Sequence, residues 1–380
     1  MADVLSSGGP PRPARQRRRF SIAAAAVVAG VAVLLAARSA PGHPETAPTP
    51  TPVPISRTPG PGVVSVAVGT RWAYALVAEC DPATVRACGY RLHRRPVDGS
   101  AGWTALPLVT ETRTTVGVVP TLAVSGDDVV TVLEQSTSGR VYSSTDGVGA
   151  SQHQLARGRP IDVVPPAGLL DSDVCASCHE RLVALEPGTG LLRPLRNQPF
   201  PGAGVRAYTM RGSTAWAVST TRTDVTSAVS LDRGRTWTTV PVRGLAPDFD
   251  VLRLVTGPDG AAYLLCSTTR TDGNSRLIGV WAIRGPTGSW ARMPGPVPRS
   301  VRSALVGERG LIVADPGGTV WLLQEDGSFA ALPDPGPTRP DQVSTGPGGI
   351  LAAVPRGRIP DPLVLTSSDG GETWRTERIT

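Results

Sequence analysis

Short runs that alternate apolar and polar residues dominate the chain from Val63 onward. Gly, Pro and Asp-Gly pairs separate them, and no window shows the 3.6-residue period of an amphipathic helix. The runs include "VVSVAV" (63–68), "WAYALVA" (72–78), "DDVVTVL" (127–133), "AWAVST" (215–220), "AAYLLC" (261–266), "GLIVA" (310–314) and "ILAAV" (350–354). A period of two predicts half-buried β-strands, so we expect an all-β domain built from many short strands.

A second pattern recurs along the same region. A turn-forming residue, often an acid, is followed five positions later by an aromatic residue or a substitute for it. The first residues of these pairs lie at 98, 146, 186, 232, 285, 324 and 369. The spacing between successive pairs therefore averages about 45 residues. "STTRTD" also occurs twice, at 219–224 and 267–272, each time directly after an apolar run. A period near 45 is typical of a four-stranded propeller blade, and seven repeats predict seven blades.

Two of these stretches carry a resemblance to a known family. "SLDRGRTW" (230–237) and "SSDGGETW" (367–374) resemble the Asp-box (BNR) pattern S-x-D-x-G-x-T-W of sialidase-like β-propellers, and "DGSAGW" (98–103) matches it in part. The resemblance implies a hairpin turn between the third and fourth strands of a blade. Its positions here are Asp98, Trp103, Ser230, Asp232, Gly234, Thr236, Trp237, Ser367, Asp369, Gly371, Thr373 and Trp374.

The residue types in this motif suit a structural role. A carboxylate accepts hydrogen bonds from turn amides, Gly adopts the positive φ of the reversal, and Trp buries a large area. The resemblance places such turns on the face away from the ligand. Too few carboxylates alternate for a calcium loop, so we predict no metal site.

The amino-terminal region differs from the rest of the chain in composition. Residues 1–19 are basic, and 20–37 form an uncharged apolar run long enough for one membrane-spanning helix. A Pro/Thr-rich linker follows at 38–62, and the propeller is predicted over 63–380. The Arg-rich flank predicts that the propeller lies outside the cytoplasm on a single-pass anchor. The alternative is a cleaved signal peptide and a secreted protein.

The net charge of +7 comes mostly from this basic end, where six arginines stand against one aspartate in residues 1–40. The remainder is close to neutral, which argues against a nucleic-acid partner.

Five cysteines in an exported chain suggest disulfides and one leftover thiol. Cys80 and Cys88 bracket a loop expected between the second and third strands of the first blade, and we predict that they pair. "CASCH" (175–179) spells a c-type haem attachment motif, but Cys175 and Cys178 are predicted to form a local disulfide or paired thiols. We therefore expect no cofactor. Cys266 ends an apolar run and is expected to be buried.

The leading functional hypothesis is a non-enzymatic, extracytoplasmic binding or scaffolding module that acts as a monomer. Arginines in the loops opposite the Asp boxes could bind an anionic or glycan envelope ligand or a protein partner. They are Arg86, Arg222, Arg270, Arg276, Arg356 and Arg358. The alternative is a sialidase-like glycoside hydrolase. "GRIP" (357–360) contains an Arg-Ile-Pro like that family's first substrate arginine, but it lies in the last repeat, and no Tyr–Glu nucleophile pair can be matched. We therefore predict no catalytic residues.

Overall fold

The structure is a computed structural model, and it describes residues 62–80, 88–112, 120–125, 129–134, 139–144, 151–173, 180–269, 275–334, 340–355 and 362–380. The described residues form strands and turns, with no helix among them. They build seven four-stranded sheets, which confirms the predicted all-β propeller of seven blades. The predicted basic tail, membrane helix and linker all lie outside the described residues.

The blades follow one another along the chain. Blade 1 contains β1 (Gly62–Val68), β2 (Trp72–Cys80), β3 (Cys88–Pro96) and β4 (Thr104–Thr112). Blade 2 contains β5 (Thr121–Val124), β6 (Val130–Glu134), β7 (Arg140–Ser144) and β8 (Ser151–Gln154). Blade 3 contains β9 (Ala156–Arg157), β10 (Leu169–Asp173), β11 (Arg181–Glu186) and β12 (Leu191–Pro194). Blade 4 contains β13 (Ala207–Arg211), β14 (Thr214–Thr220), β15 (Val225–Ser230) and β16 (Thr238–Pro241).

The last three blades keep the same order. Blade 5 contains β17 (Val251–Thr256), β18 (Ala262–Thr269), β19 (Ser275–Ile283) and β20 (Ala291–Arg292). Blade 6 contains β21 (Ser303–Gly307), β22 (Gly310–Ala314), β23 (Val320–Leu323) and β24 (Phe329–Ala331). Blade 7 contains β25 (Pro340–Thr345), β26 (Leu351–Pro355), β27 (Leu363–Ser367) and β28 (Arg375–Arg378). Except in blade 3, strand order follows chain order and neighbouring strands are antiparallel.

The core lies between the blades. Six clusters of buried apolar side chains among the described residues each join two neighbouring blades, and one of them joins blade 7 to blade 1. The second strands of the blades are the most apolar, since Leu76, Trp216, Leu264 and Leu351 have no exposed surface. A single four-stranded sheet could not bury both of its faces, whereas a ring of sheets does.

The repeated aromatic residue packs on the preceding blade. Trp103 lies in the cluster shared with blade 7, Trp290 in the one shared with blade 4, and Trp374 in the one shared with blade 6. The Trp290 indole meets Trp216 edge to face at 5.7 Å between ring centroids. The Trp237 indole N–H donates to the Asn197 carbonyl, just after blade 3. The aromatic residue of each turn therefore stabilises its own hairpin and also the contact with the preceding blade.

The ring closes without exchanging a strand between its first and last blades. Glu377 of β28 accepts hydrogen bonds from Arg95 (2.7 Å) and the Trp103 indole (3.0 Å) in blade 1. It also accepts one from Thr366 of its own blade at 2.7 Å. Side-chain exposure is 13% for Arg95 and 24% for Glu377, so this contact is largely removed from water. One carboxylate thus links the two ends of the propeller.

Blade 3 departs from the repeat. Its sheet order from the centre outward is β10, β11, β12 and β9, and the outermost strand β9 is parallel to β12. Leu155 alone separates β8 from β9, so one extended segment borders blade 2 and then blade 3. The repeat member at Glu186, with Leu191 five positions later, therefore lies in a different turn of its sheet from the Asp boxes. That turn joins β11 to β12, because the fourth strand comes from the chain before the blade.

Candidate functional site

The antiparallel blades give the propeller two distinct ends. We call "turn end" the end that carries the turns between first and second strands and between third and fourth strands. The "loop end" carries the connections between second and third strands and from one blade to the next. Among the described residues of blades 4 to 7, the two ends differ in how their charged groups are partnered.

At the turn end of blade 4, Asp232 organises the whole turn. It accepts hydrogen bonds from the Thr236 amide (2.8 Å), the Thr236 hydroxyl (2.6 Å) and the Ser230 hydroxyl (2.8 Å). The Ser230 oxygen in turn accepts from the Gly234 amide at 2.7 Å. Desolvation acts to raise the pKa of Asp232, but the hydrogen bonds from Thr236 and Ser230 outweigh it and lower the pKa.

Blade 7 repeats this turn with the second copy of the motif. Asp369 accepts from the Thr373 amide (2.9 Å), the Thr373 hydroxyl and the Ser367 hydroxyl (2.8 Å), and Ser367 accepts from the Gly371 amide (2.8 Å). Desolvation again acts to raise the pKa, yet the bonds from Thr373 and Ser367 lower the pKa of Asp369 to about 2. In both copies the carboxylate is ionised and fully engaged in holding the turn.

The fourth position of the motif requires left-handed backbone. Gly370 occupies it in blade 7 with φ 72°, whereas blade 4 has Arg233 at φ 60°. A side chain in this region costs about 1 kcal/mol or more. The Arg233 guanidinium donates to the carbonyls of Val164, Pro165 and Gly212, which offsets that cost and ties the turn to blade 3.

Near the centre of the turn end, a positively charged side chain lies close to groups of opposite charge. Arg211, the last residue of the innermost strand β13, donates to the Val306 carbonyl of blade 6 at 2.8 Å, so its side chain passes blade 5. Burial lowers the pKa of Arg211, but the carboxylates of Asp259 and Glu308 act in the opposite direction. Glu308 also accepts from the Gly348 amide of blade 7 at 2.5 Å. This arginine has carboxylates close to it.

The loop end contains the arginines that the sequence indicated, so far as they are described. Arg222 lies in the turn between β14 and β15 and is exposed. Arg276 is exposed as well, but it is the second residue of β19, where we had expected a loop, because β18 and β19 pair as far as Thr269 and Ser275. Arg86, Arg270, Arg356 and Arg358 lie outside the described residues.

An arginine that the sequence analysis did not select lies nearer the centre. Arg253 is the third residue of β17, the innermost strand of blade 5. Its guanidinium donates to the backbone carbonyl of Arg302, just before β21 of blade 6. Burial lowers the pKa of Arg253, and the positive charge of Arg302 lowers it further. Among the described residues, no carboxylate is hydrogen-bonded to this guanidinium.

Backbone contacts bring the exposed arginines toward the same place. The Leu277 amide donates to the Arg299 carbonyl at 2.8 Å, so Arg276 and Arg299 stand on adjacent segments. Arg299 and Arg302 are both exposed, three residues apart in the connection from blade 5 to blade 6. We call Arg253, Arg276, Arg299 and Arg302 the arginine seam.

The acids closest in the chain are engaged elsewhere or point to solvent. Asp250, just before β17, accepts from the Thr269 amide at 2.5 Å. Asp224, beside Arg222, accepts from the Thr223 hydroxyl at 2.5 Å. Asp248 is exposed. The named arginines outnumber these three acids, so the described part of the loop end at blades 4 to 6 is cationic.

Two other groups with reactive side chains, Tyr208 and Cys266, lie on strands near the centre of the ring. The Tyr208 hydroxyl donates to Asp171 of blade 3 at 2.6 Å, and burial, followed by the charge of Asp171, raises the pKa of the tyrosine. Cys266 is buried in β18, as the sequence predicted, and it is a free thiol whose pKa is raised by burial. Both are protonated at neutral pH, so neither is a ready nucleophile.

The remaining cysteines are described in part or not at all. β2 ends at Cys80 and β3 begins at Cys88, which matches the predicted loop position, and the strand register sets the two residues directly opposite each other. Cys175 and Cys178 lie outside the described residues. Within the ranges that the structure describes, no group of three metal-ligating side chains and no helix able to cross a bilayer occurs.

Comparison with known proteins supports the fold. No family model and no curated protein matches the chain. Among solved structures, the β-propeller domain of the Trilobed protease from Pyrococcus furiosus, described as having an open velcro topology, is similar at 8% identity. The match has a TM-score of 0.51 and covers 84% of this chain and 98% of that one.

Two peptidases are similar to the same extent. A prolyl endopeptidase matches at 13% identity and TM-score 0.52, over 84% of this chain and 50% of that one. The acylaminoacyl peptidase of Pyrococcus horikoshii matches at 8% identity and TM-score 0.50, over 85% and 53%. The chain thus spans about half the length of these peptidases, and at such identities the likeness establishes the propeller fold alone.

Proposed function

We propose that this protein is a non-enzymatic β-propeller that binds an anionic ligand at the cell envelope through its loop end. One observation carries the proposal: the half-buried Arg253, on an innermost strand, donates to the neutral backbone carbonyl of Arg302 and to no carboxylate among the described residues. Burying a cation without a counter-charge is unfavourable, so such an arrangement is expected where an anion binds.

The turn end supports a structural role for the Asp-box residues. A glycosidase acid must hold a proton near neutral pH, which requires a raised pKa. The pKa values of Asp232 and Asp369 are lowered, and all their bonds serve the turn. Four of the five tyrosines give no better support to a hydrolase, because Tyr74, Tyr90 and Tyr142 are buried in the core and Tyr208 bonds to an aspartate.

Charge reversal tests the proposal in the full-length protein. We expect Arg222→Glu with Arg276→Glu to abolish most binding to isolated cell envelopes, measured by co-sedimentation. The matched control reverses two exposed arginines of the turn end, Arg235→Glu with Arg375→Glu, and should bind like the unmodified protein. Equal binding by the two double variants would contradict the proposal.

The location is part of the same proposal. Residues 20–37 would form a single membrane anchor and 38–62 a stalk that holds the propeller outside the cytoplasm. In an oxidising compartment we propose that Cys80 and Cys88 form a disulfide, since directly opposite residues of antiparallel strands have Cα atoms about 4.5–5.5 Å apart.

Thiol labelling tests this location. Protein denatured without reductant should leave Cys80 and Cys88 unlabelled by maleimide, and prior reduction should expose both to the reagent. Cys266, which is buried and free, should be labelled in both samples and serves as the internal control. Labelling of Cys80 before reduction would show that this bridge is absent.

A further inference from the structure

The chain enters the propeller at its loop end. β1 runs from Gly62 to the turn that joins it to β2, and that turn lies at the turn end, so Gly62 lies at the loop end. β1 is also the innermost strand of blade 1. Residues 1–61, which include the apolar run at 20–37, therefore connect to the propeller at its loop end and close to the axis of the ring.

Exposed arginines lie at the same end of blades 4 and 5, across the ring from blade 1. They are Arg222, Arg243, Arg276 and Arg299. The Val242 amide donates to the Val225 carbonyl at 3.0 Å, so the segment of Arg243 lies beside the strand that follows Arg222. The Leu277 amide donates to the Arg299 carbonyl at 2.8 Å and joins the segments of the other two arginines. The loop end thus carries a positively charged area opposite the point where the chain enters.

The turn end differs from the loop end in charge and in apolar exposure. In blades 5 to 7 it carries exposed carboxylates, which an anionic surface would repel. They are Asp259, Glu308, Asp326 and Glu372. Leu231, which is 55% exposed, also lies at the turn end, whereas the loop end shows no exposed large apolar side chain among the described residues. The exposed side chains of the loop end therefore suit a charged partner surface better than an apolar one.

We infer that the loop end docks on the surface of an anionic phospholipid bilayer, the membrane that residues 20–37 are proposed to span. The inference rests on the proposed function for the anchor and the anionic ligand, and it identifies that ligand as lipid head groups. Basic side chains close to such a surface are attracted to it, and the attraction falls off within a Debye length. With the chain attached at blade 1 and the arginines at blades 4 and 5, two opposite sides of the loop end would be drawn to the membrane.

The proposed stalk makes a weak attraction sufficient. Residues 38–61 would reach about 75 Å as an extended proline-rich chain, so the propeller could not diffuse away from the bilayer. Tethering turns docking into an intramolecular step with a high effective concentration of lipid. A few exposed arginines can then hold the loop end at the surface, although they would bind the same lipids weakly in free solution.

Energy transfer from the protein to the lipid surface tests the inference. The full-length protein is reconstituted into vesicles that carry an acceptor dye on a lipid head group. A donor dye is attached to Ala246→Cys at the loop end or to Ser213→Cys at the turn end, both exposed positions next to strands of blade 4. β14 spans seven residues between the two ends, so the two labels differ in height by about 20 Å. The unmodified protein, labelled in the same way, corrects for its native thiols.

In vesicles of phosphatidylcholine mixed with phosphatidylglycerol, we expect transfer from the loop-end label to exceed transfer from the turn-end label about twofold or more. The excess should fall in phosphatidylcholine alone and at high salt, because both conditions weaken the attraction. Adding Arg222→Glu with Arg276→Glu should lower the excess as well. The control pair at the turn end, Arg235→Glu with Arg375→Glu, should leave it unchanged.

Equal transfer from the two labels, or an excess that does not depend on lipid charge, would overturn the inference. Failure of the full-length protein to float with phosphatidylcholine vesicles would overturn it too, because the tether would then be absent. If the charge-reversed variant loses envelope binding while the labels ignore phosphatidylglycerol, the ligand is a polymer or a protein, and the proposed function stands without this inference. If the labels respond to phosphatidylglycerol while envelope binding is unchanged, docking stands and the envelope result counts against the proposed function alone.

Discussion

The two ends of this propeller use similar residue types to opposite effect. At the turn end, Asp232 and Asp369 accept hydrogen bonds from residues of their own turns, and Arg211 donates to a carbonyl of blade 6 with two carboxylates near it. At the loop end of blades 4 to 6, Arg253 donates to a neutral backbone carbonyl, and Arg222, Arg276 and Arg299 are exposed. The difference fits a structural role for the turn end and is the basis for the proposal that the loop end binds a ligand.

The largest effect is expected from the carboxylate that closes the ring. Glu377→Ala leaves Arg95, the Trp103 indole and Thr366 without their acceptor, so we expect a loss of about 3 kcal/mol in the free energy of unfolding. Chemical denaturation would measure it. The control is Glu372→Ala, which removes an ion pair with Arg309 in which the Glu372 side chain is 60% exposed. Its effect should stay below about 1 kcal/mol. If both variants lost the same free energy of unfolding, the contact of Glu377 with blade 1 would contribute no more than an exposed ion pair.

A smaller loss is expected within one turn. Asp369→Ala removes the acceptor for the Thr373 amide and hydroxyl and for Ser367, which should cost about 2 kcal/mol in the same denaturation experiment. Asp326 in the corresponding turn of blade 6 accepts only from the amide and hydroxyl of Ser328. Asp326→Ala should therefore destabilise the protein less, and the reverse order would contradict the role given to the full motif.

Acid titration should produce a still smaller effect, since a protonated carboxyl still accepts hydrogen bonds. The pKa of Asp369 is lowered from its ordinary 3.8 to about 2 in the folded protein. Its contribution to stability is therefore complete above pH 4 and is lost as the pH falls toward 2. The difference in unfolding free energy between the unmodified protein and Asp369→Asn should shrink over that window. A constant difference would argue against the lowered pKa.

The smallest effect on stability is expected at the loop end. Arg222→Glu with Arg276→Glu replaces two exposed side chains, so the free energy of unfolding should change by less than about 0.5 kcal/mol per site. Circular dichroism during thermal unfolding would check this alongside the envelope experiment. A large loss would mean that these arginines support the fold, and the contrast between the two ends would disappear.

The features that the sequence predicted correctly depend on local patterns or on a regular repeat. Alternating runs gave the strands, and the 45-residue repeat gave the number of blades. What it missed depends on contacts between distant segments. The repeat at Glu186 and Leu191 has the usual spacing but lies one turn earlier in its sheet, because β9 comes from the chain before the blade. The packing of Trp103 on blade 7 is likewise beyond any local pattern.

The arginine seam shows the same limit. Arg253 stands within an apolar strand, "VLRLVT", so the sequence around it lacks the usual signal for a binding loop. A signal was available, since a lone arginine in the first strand of a blade must face either a neighbouring blade or the central channel. Its partner Arg302 could be found only once blades 5 and 6 were placed side by side.

The unbroken segment that runs from β8 into β9 has a consequence for how such a chain can change. Duplicating or deleting a repeat elsewhere in the ring moves a self-contained hairpin pair. A genetic crossover between blades 2 and 3 would instead remove the outermost strand from one of these two blades. Blades 2 and 3 are therefore expected to be inherited as one unit of about ninety residues, which is twice the usual repeat.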